Sequence, residues 1–133
     1  MAYVVAYIAA AVVFLGLDAL WLSRIALGLY RREIGPLLLD QPNLIIAGLF
    51  YLLFVAGIVA LAIVPALNNG NWVNALTSGA ILGLVAYGTY DITNLSTLRN
   101  WSTMVTIADL AWGTALTAIA ATAGYFAVKV LHL

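Results

Sequence analysis

Four apolar stretches, each near or above the roughly 20 residues a helix needs to cross a bilayer, divide this chain of 133 residues. They run over about 3–22, 44–67, 73–98 and 101–128. Backbone amides in hydrocarbon have no water to bond, so such stretches must satisfy their own hydrogen bonds as helices. Only 8% of the residues are charged and 65% are hydrophobic, whereas a soluble domain carries about 25% charged residues. No water-facing surface can be built from that set. The chain reads as an all-α membrane protein, one domain over 1–133 made of a bundle of four antiparallel transmembrane helices.

The connections set an orientation. Asn68-Asn69-Gly70-Asn71 is a short neutral turn between the second and third stretches, suited to a hairpin. A second turn falls at Arg99-Asn100, where Ser102 is placed to cap the fourth helix. The longest connection, 23–43, carries Arg24, Arg31, Arg32, Glu33 and Asp40, with Leu37, Leu38 and Leu39 expected to dip into the interface. Together with Arg99, four of the five basic residues lie on these odd-numbered connections, leaving Lys129 on the other side. The positive-inside rule then places both odd connections in the cytoplasm and both termini outside. Trp21, Trp72 and Trp101 fall where an aromatic belt is expected. Met1-Ala2-Tyr3-Val4 lacks a positive leader region, so the first stretch is expected to be a retained span.

Three aspartates interrupt the hydrocarbon. Asp18, Asp91 and Asp109 each stand in an otherwise uncharged stretch, where a carboxylate costs about 2.5–3.5 kcal/mol on insertion scales. Intramembrane acids are functional-site candidates for that reason. With alternating helix directions all three fall in one leaflet, on the side of the arginines. In the third stretch Gly79, Gly83, Tyr87 and Asp91 form a four-residue ridge, with Asn94 and Leu95 continuing the same face. Gly79 and Gly83 make a small-xxx-small contact surface. In the fourth, Thr106, Asp109, Gly113, Ala120 and Gly124 share a face. Trp21 and Trp112 each follow an aspartate by three residues, which sets an indole N–H beside each carboxylate of the same helix. The expected inward cluster is therefore Asp18, Trp21, Tyr87, Asp91, Asn94, Asp109 and Trp112, with Gly79, Gly83, Gly113 and Gly124 as helix-packing residues. The uncharged second stretch is expected to face lipid or another copy of the chain.

The runs Tyr90-Asp91-Ile92-Thr93-Asn94-Leu95 and Asp109-Leu110-Ala111-Trp112-Gly113, with LDALWLSR at 17–24 and YRREIGPLL at 30–38, resemble the Domain of Unknown Function 2177 family of small membrane proteins. The resemblance covers nearly the whole chain. It implies four spans, a bacterial-type inner membrane and no assigned activity, so no catalytic residue is carried over from it.

Several functions are excluded by what the chain lacks. Zero net charge and no basic run leave no electrostatic footprint for nucleic acid. With no cysteine there are no disulfides, thiolate metal sites or thiol nucleophiles. The lone histidine, His132, lies outside the spans, so neither an ordinary triad nor a zinc or haem site is expected. No phosphate loop or dinucleotide fingerprint is present, and no cofactor or metal is expected. Three readings remain. The first is a membrane protein, in contact with lipid and completed as a homo-oligomer, that binds or transports a proton, a cation or a basic amphiphile. The second is a lipid-modifying enzyme using an aspartate as general acid or base. The third is an accessory subunit held by its small-residue faces.

Overall fold

The computed structural model describes residues 1–133, which form four long helices and no strand. We number them α1 (Ala2–Leu37), α2 (Leu44–Asn69), α3 (Trp72–Thr97) and α4 (Thr103–Val130). By length and composition α1, α2 and α4 suffice to cross a membrane. At 26 residues α3 has the length, but its Asn, Thr, Ser, Tyr and Asp residues make it less apolar.

The main departure from the sequence reading lies in 23–43, expected as a connection. There α1 continues to Leu37, leaving 38–43 to link it to α2. Through Leu22–Ala26 the helix opens into a π turn. Such a turn holds one residue more than an α turn, so the positions beyond it are carried back by about 100°. Asp18 and Tyr30, twelve residues apart, would sit about 120° from each other on a regular helix. The extra residue returns them nearly to one face. Ala26 and Ile34 accordingly extend the buried series Ala6, Ala10, Phe14 and Asp18.

A second π turn, Val59–Ile63 in α2, has a local cause. Pro65 has no N–H to give Leu61, and its ring crowds that carbonyl, so the preceding turn widens. Helix ends follow the expected chemistry. Asn43 Oδ1 accepts the Ile46 N–H at 3.1 Å, Asn71 Oδ1 accepts the Val73 N–H at 3.0 Å and Ser102 Oγ accepts the Val105 N–H at 3.1 Å. Gly70, at φ +67°, stops α2 in the left-handed conformation that only glycine adopts freely.

Buried against both α1 and α3, α4 is the centre of the bundle. Each step of four along α3 meets a step of four backward along α4. Gly79 lies on Thr117, Ala118 and Ala121, Gly83 on Gly113 and Thr117, and Tyr87 on Gly113. Gly124, on the same face of α4, meets Ile63 of α2 and the Ala6 carbonyl of α1 instead, so one face serves different neighbours at its two ends. In the half nearer the chain termini, Ala6, Ala10, Val55, Ile58, Ile63, Leu116, Ala120 and Tyr125 fill the core. Of the three helices long and apolar enough to span, α2 is the least buried. Its start exposes Leu44, Ile45, Ile46 and Leu49, whereas Val55, Ile58, Ala62, Ile63 and Ala66 further along are buried.

Two glycines separate contact from mere composition. A Cβ on Gly83 would fall nearly onto the Gly113 carbonyl oxygen, whereas one on Gly57 of α2 meets nothing within 4 Å. Gly83→Ala should lower stability by about 1–3 kcal/mol through overpacking. Gly57→Ala should be neutral or stabilising by up to about 1 kcal/mol, the helix propensity difference. Thermal unfolding of the two variants in detergent checks the contrast, and equal effects would contradict the close α3–α4 contact.

Candidate functional site

At the end of the bundle away from the termini the four helices do not close on one another. They leave between them a partly open cavity of about 610 Å³. From α1 come Phe14, Asp18, Trp21, Tyr30 and Ile34, and from α2 come Phe50, Tyr51 and Phe54. Tyr87, Thr89 and Tyr90 of α3 line it too, as do Val105, Asp109 and Trp112 of α4, with Trp101 just before α4. Of its 18 lining residues 15 are hydrophobic, and the exceptions are Asp18, Thr89 and Asp109.

Both acids in the wall are held by neighbours from other parts of the bundle. The Trp112 indole Nε1–H donates to Asp18 Oδ1 at 3.1 Å, and the Tyr30 hydroxyl donates to Asp109 Oδ1. The indoles of Trp21 and Trp112 stack, with centroids 4.8 Å apart and planes at 8°. Asp18 is 5% exposed and Asp109 7%. Around them Tyr90 packs edge-on to Trp101, and Phe14 contacts both Tyr51 and Phe54. Trp101 Nε1–H is itself engaged, donating to Thr106 Oγ1 at 3.2 Å.

Of the seven cluster residues expected from sequence, Asp18, Trp21, Tyr87, Asp109 and Trp112 line the cavity. Asp91 does not. It is wholly buried between α3 and α4, beside Asp109, and neither of its carboxyl oxygens has a hydrogen-bond partner. Asn94 also lies off the cavity, half-buried one turn further along α3. The three acids do not form a group with the geometry to hold a metal ion. The indole pairing is corrected as well. Each indole was expected beside the aspartate of its own helix, but Trp112 crosses to Asp18, while the Trp21 N–H is buried without an acceptor. The two indoles stack on each other across the α1–α4 contact instead, and the Trp112 N–H reaches α1. Tyr30, the partner of Asp109, lies in the stretch that the sequence reads as a connection. The signal that finds it is the eight-residue step from Asp18 to Ala26 and the four-residue steps beyond, legible once a π turn is allowed.

Residues 3–126 match the model of the family described as Predicted membrane protein (DUF2177). The chain belongs to this family. Neither a curated protein nor a solved structure matches it. Every residue lining the cavity falls inside the matched region, so the site is part of the DUF2177 unit and not an appendage to it.

The unequal indoles of this DUF2177 chain give a direct test of the site's geometry. Trp112→Phe keeps a ring in the stack but leaves the buried Asp18 carboxyl without its donor, at a cost of about 1–3 kcal/mol. Trp21→Phe removes an N–H that has no acceptor, so it should lack that penalty. Thermal unfolding should rank Trp112→Phe clearly below Trp21→Phe, and Asp18→Asn should shrink the gap.

Proposed function

We propose that this DUF2177 protein binds a basic amphiphile, with the cationic group held between Asp18 and Asp109 and the apolar part against the aromatic wall. The observation that carries the reading is that two nearly buried carboxyls and the stacked Trp21 and Trp112 line one cavity whose wall is otherwise almost wholly apolar. A cation in such a space is attracted by both carboxylates, and the low polarity of the surroundings strengthens that attraction. Aromatic faces add about 0.5–2 kcal/mol to a desolvated cation. Phe14, Phe50 and Phe54 offer the surface an alkyl or aryl group needs. Its volume lies in the ordinary range for small-molecule sites, about 300–1,000 Å³.

The same proposal includes the setting. All four helices cross a bacterial-type inner membrane, with α3 as the fourth span because the hydroxyls of Thr77, Thr89, Ser96 and Thr97 donate to carbonyls of their own helix and Asp91 is buried. Arg24, Arg31, Arg32 and Arg99 put the cavity end on the cytoplasmic side and both termini outside, and membrane lipid surrounds the bundle. One chain supplies residues of all four helices to the cavity.

Purified protein in lipid nanodiscs, titrated with an alkyl trimethylammonium and with its uncharged isostere carrying a quaternary carbon, tests the reading. Saturable binding of the ammonium compound, at least about tenfold tighter than the isostere, is expected. Asp18→Asn and Asp109→Asn should each weaken it about tenfold, or about 1.4 kcal/mol, while unfolding temperature shows that the bundle persists. Equal binding of the isostere, or full affinity in both variants, would refute the proposal.

A further inference from the structure

The cavity uses Asp18 and Asp109 and leaves Asp91 without a task. Asp91 is 0% exposed, neither carboxyl oxygen has a partner, and it lies behind the cavity wall. Its neighbour is set by the register of α3 on α4. The steps that pair Gly83 with Thr117 and Tyr87 with Gly113 bring Asp91 opposite Asp109, and the two carboxyls face each other. Asp109 therefore stands at a junction. On one side it accepts the Tyr30 hydroxyl in the cavity wall, and on the other it meets Asp91.

Two bare carboxylates side by side in a buried helix contact repel, with no opposite charge to offset them. The titratable groups facing the pair are Tyr30 and Asp18 from α1, Tyr51 from α2, and Tyr87 and Tyr90 from α3, and no basic residue is among them. A single proton between the carboxyls removes one charge and supplies the donor that Asp91 lacks, the arrangement that shared acid pairs adopt.

We propose that Asp91 and Asp109 form a proton-binding site that exchanges its proton for the cation in the cavity. This rests on the reading of the cavity as a cation site. With the cavity empty, one proton lies between the two carboxyls and the pair carries one negative charge. When a cation enters beside Asp109, the O–H bond breaks, the proton passes by way of Asp109 and the cavity to a buffer base, and the pair carries two negative charges. The added negative charge equals the positive charge that arrived. The net charge buried in the bundle is unchanged by binding.

Two measurements on the whole protein test this. Infrared spectroscopy at neutral pH, without ligand, should show a carboxylic acid C=O stretch that shifts on deuteration. Asp91→Asn should remove it, and Asp109→Asn should shift it because Asp91 keeps the proton alone. A wild-type protein without the band, or a band untouched in both variants, overturns the proposal. Calorimetric titration with the alkyl trimethylammonium, in two buffers of different ionisation enthalpy, should give about one proton released per cation bound. That ratio should fall towards zero in Asp91→Asn. Cation binding that depends on Asp18 and Asp109 but releases no proton overturns the exchange and leaves the cavity reading standing. A band that obeys the variants in a protein binding no cation overturns the cavity reading, and the exchange with it.

Discussion

The close approach of α3 and α4 is the constraint on which the rest of the site depends. Where Gly83 lies on the Gly113 backbone, no side chain keeps the helices apart, and the ring of Tyr87 packs directly on Gly113. Dispersion is weak per atom pair but large when summed over an interface without gaps. In membranes it matters more, because lipid supplies no hydrophobic force between helices and an interhelical hydrogen bond averages only about 0.6 kcal/mol. Packing therefore sets the register, and the register sets the chemistry. A slip of one four-residue step would part Asp91 from Asp109 and bring it against Gly113 or Val105 instead.

The second constraint is the π turn in α1. Without the extra residue in Leu22–Ala26, Tyr30 would be turned about a third of a revolution from Asp18, and Asp109 would lose its hydroxyl donor. With it, one helix supplies both a carboxyl and the donor to another carboxyl. The same extension of α1 carries Ile34 into the cavity wall. A helix that ended at residue 22 would leave that wall open. The two constraints act on different elements, yet both converge on Asp109, which touches α1 through Tyr30 and α3 through Asp91.

Much of this was legible from residue pattern alone. Helical class follows from the apolar runs, and the α3 ridge of Gly79, Gly83, Tyr87 and Asp91 is visible at its four-residue spacing. Asn94, three residues past Asp91 on the same face, still lies off the cavity, since a face read from periodicity does not say where its neighbouring helix ends. The extension of α1 was hidden for a different reason. Arg24, Arg31, Arg32 and Glu33 mark a polar stretch, and polarity reads as a connection, whereas a helix leaving the hydrocarbon can stay helical with its charges in water. Crossed pairing of Trp112 with Asp18 was not readable at all. It depends on the relative position of α1 and α4, which no local spacing encodes.

The three acids differ in how their burial is compensated, and that difference argues against a purely structural role for them. An ionised carboxyl has about four acceptor sites. Asp18 uses one on the Trp112 indole, Asp109 uses one on the Tyr30 hydroxyl, and Asp91 has no hydrogen-bonded donor. Helix locking would be served better by Asn or Ser, which bring the same polar contacts without a charge that costs about 2.5–3.5 kcal/mol to insert. The unused acceptor capacity of Asp18 and Asp109 lies at the wall of the cavity, and that of Asp91 lies against Asp109. Capacity left over in two connected places is what a site needs if charge is to arrive in one and leave from the other.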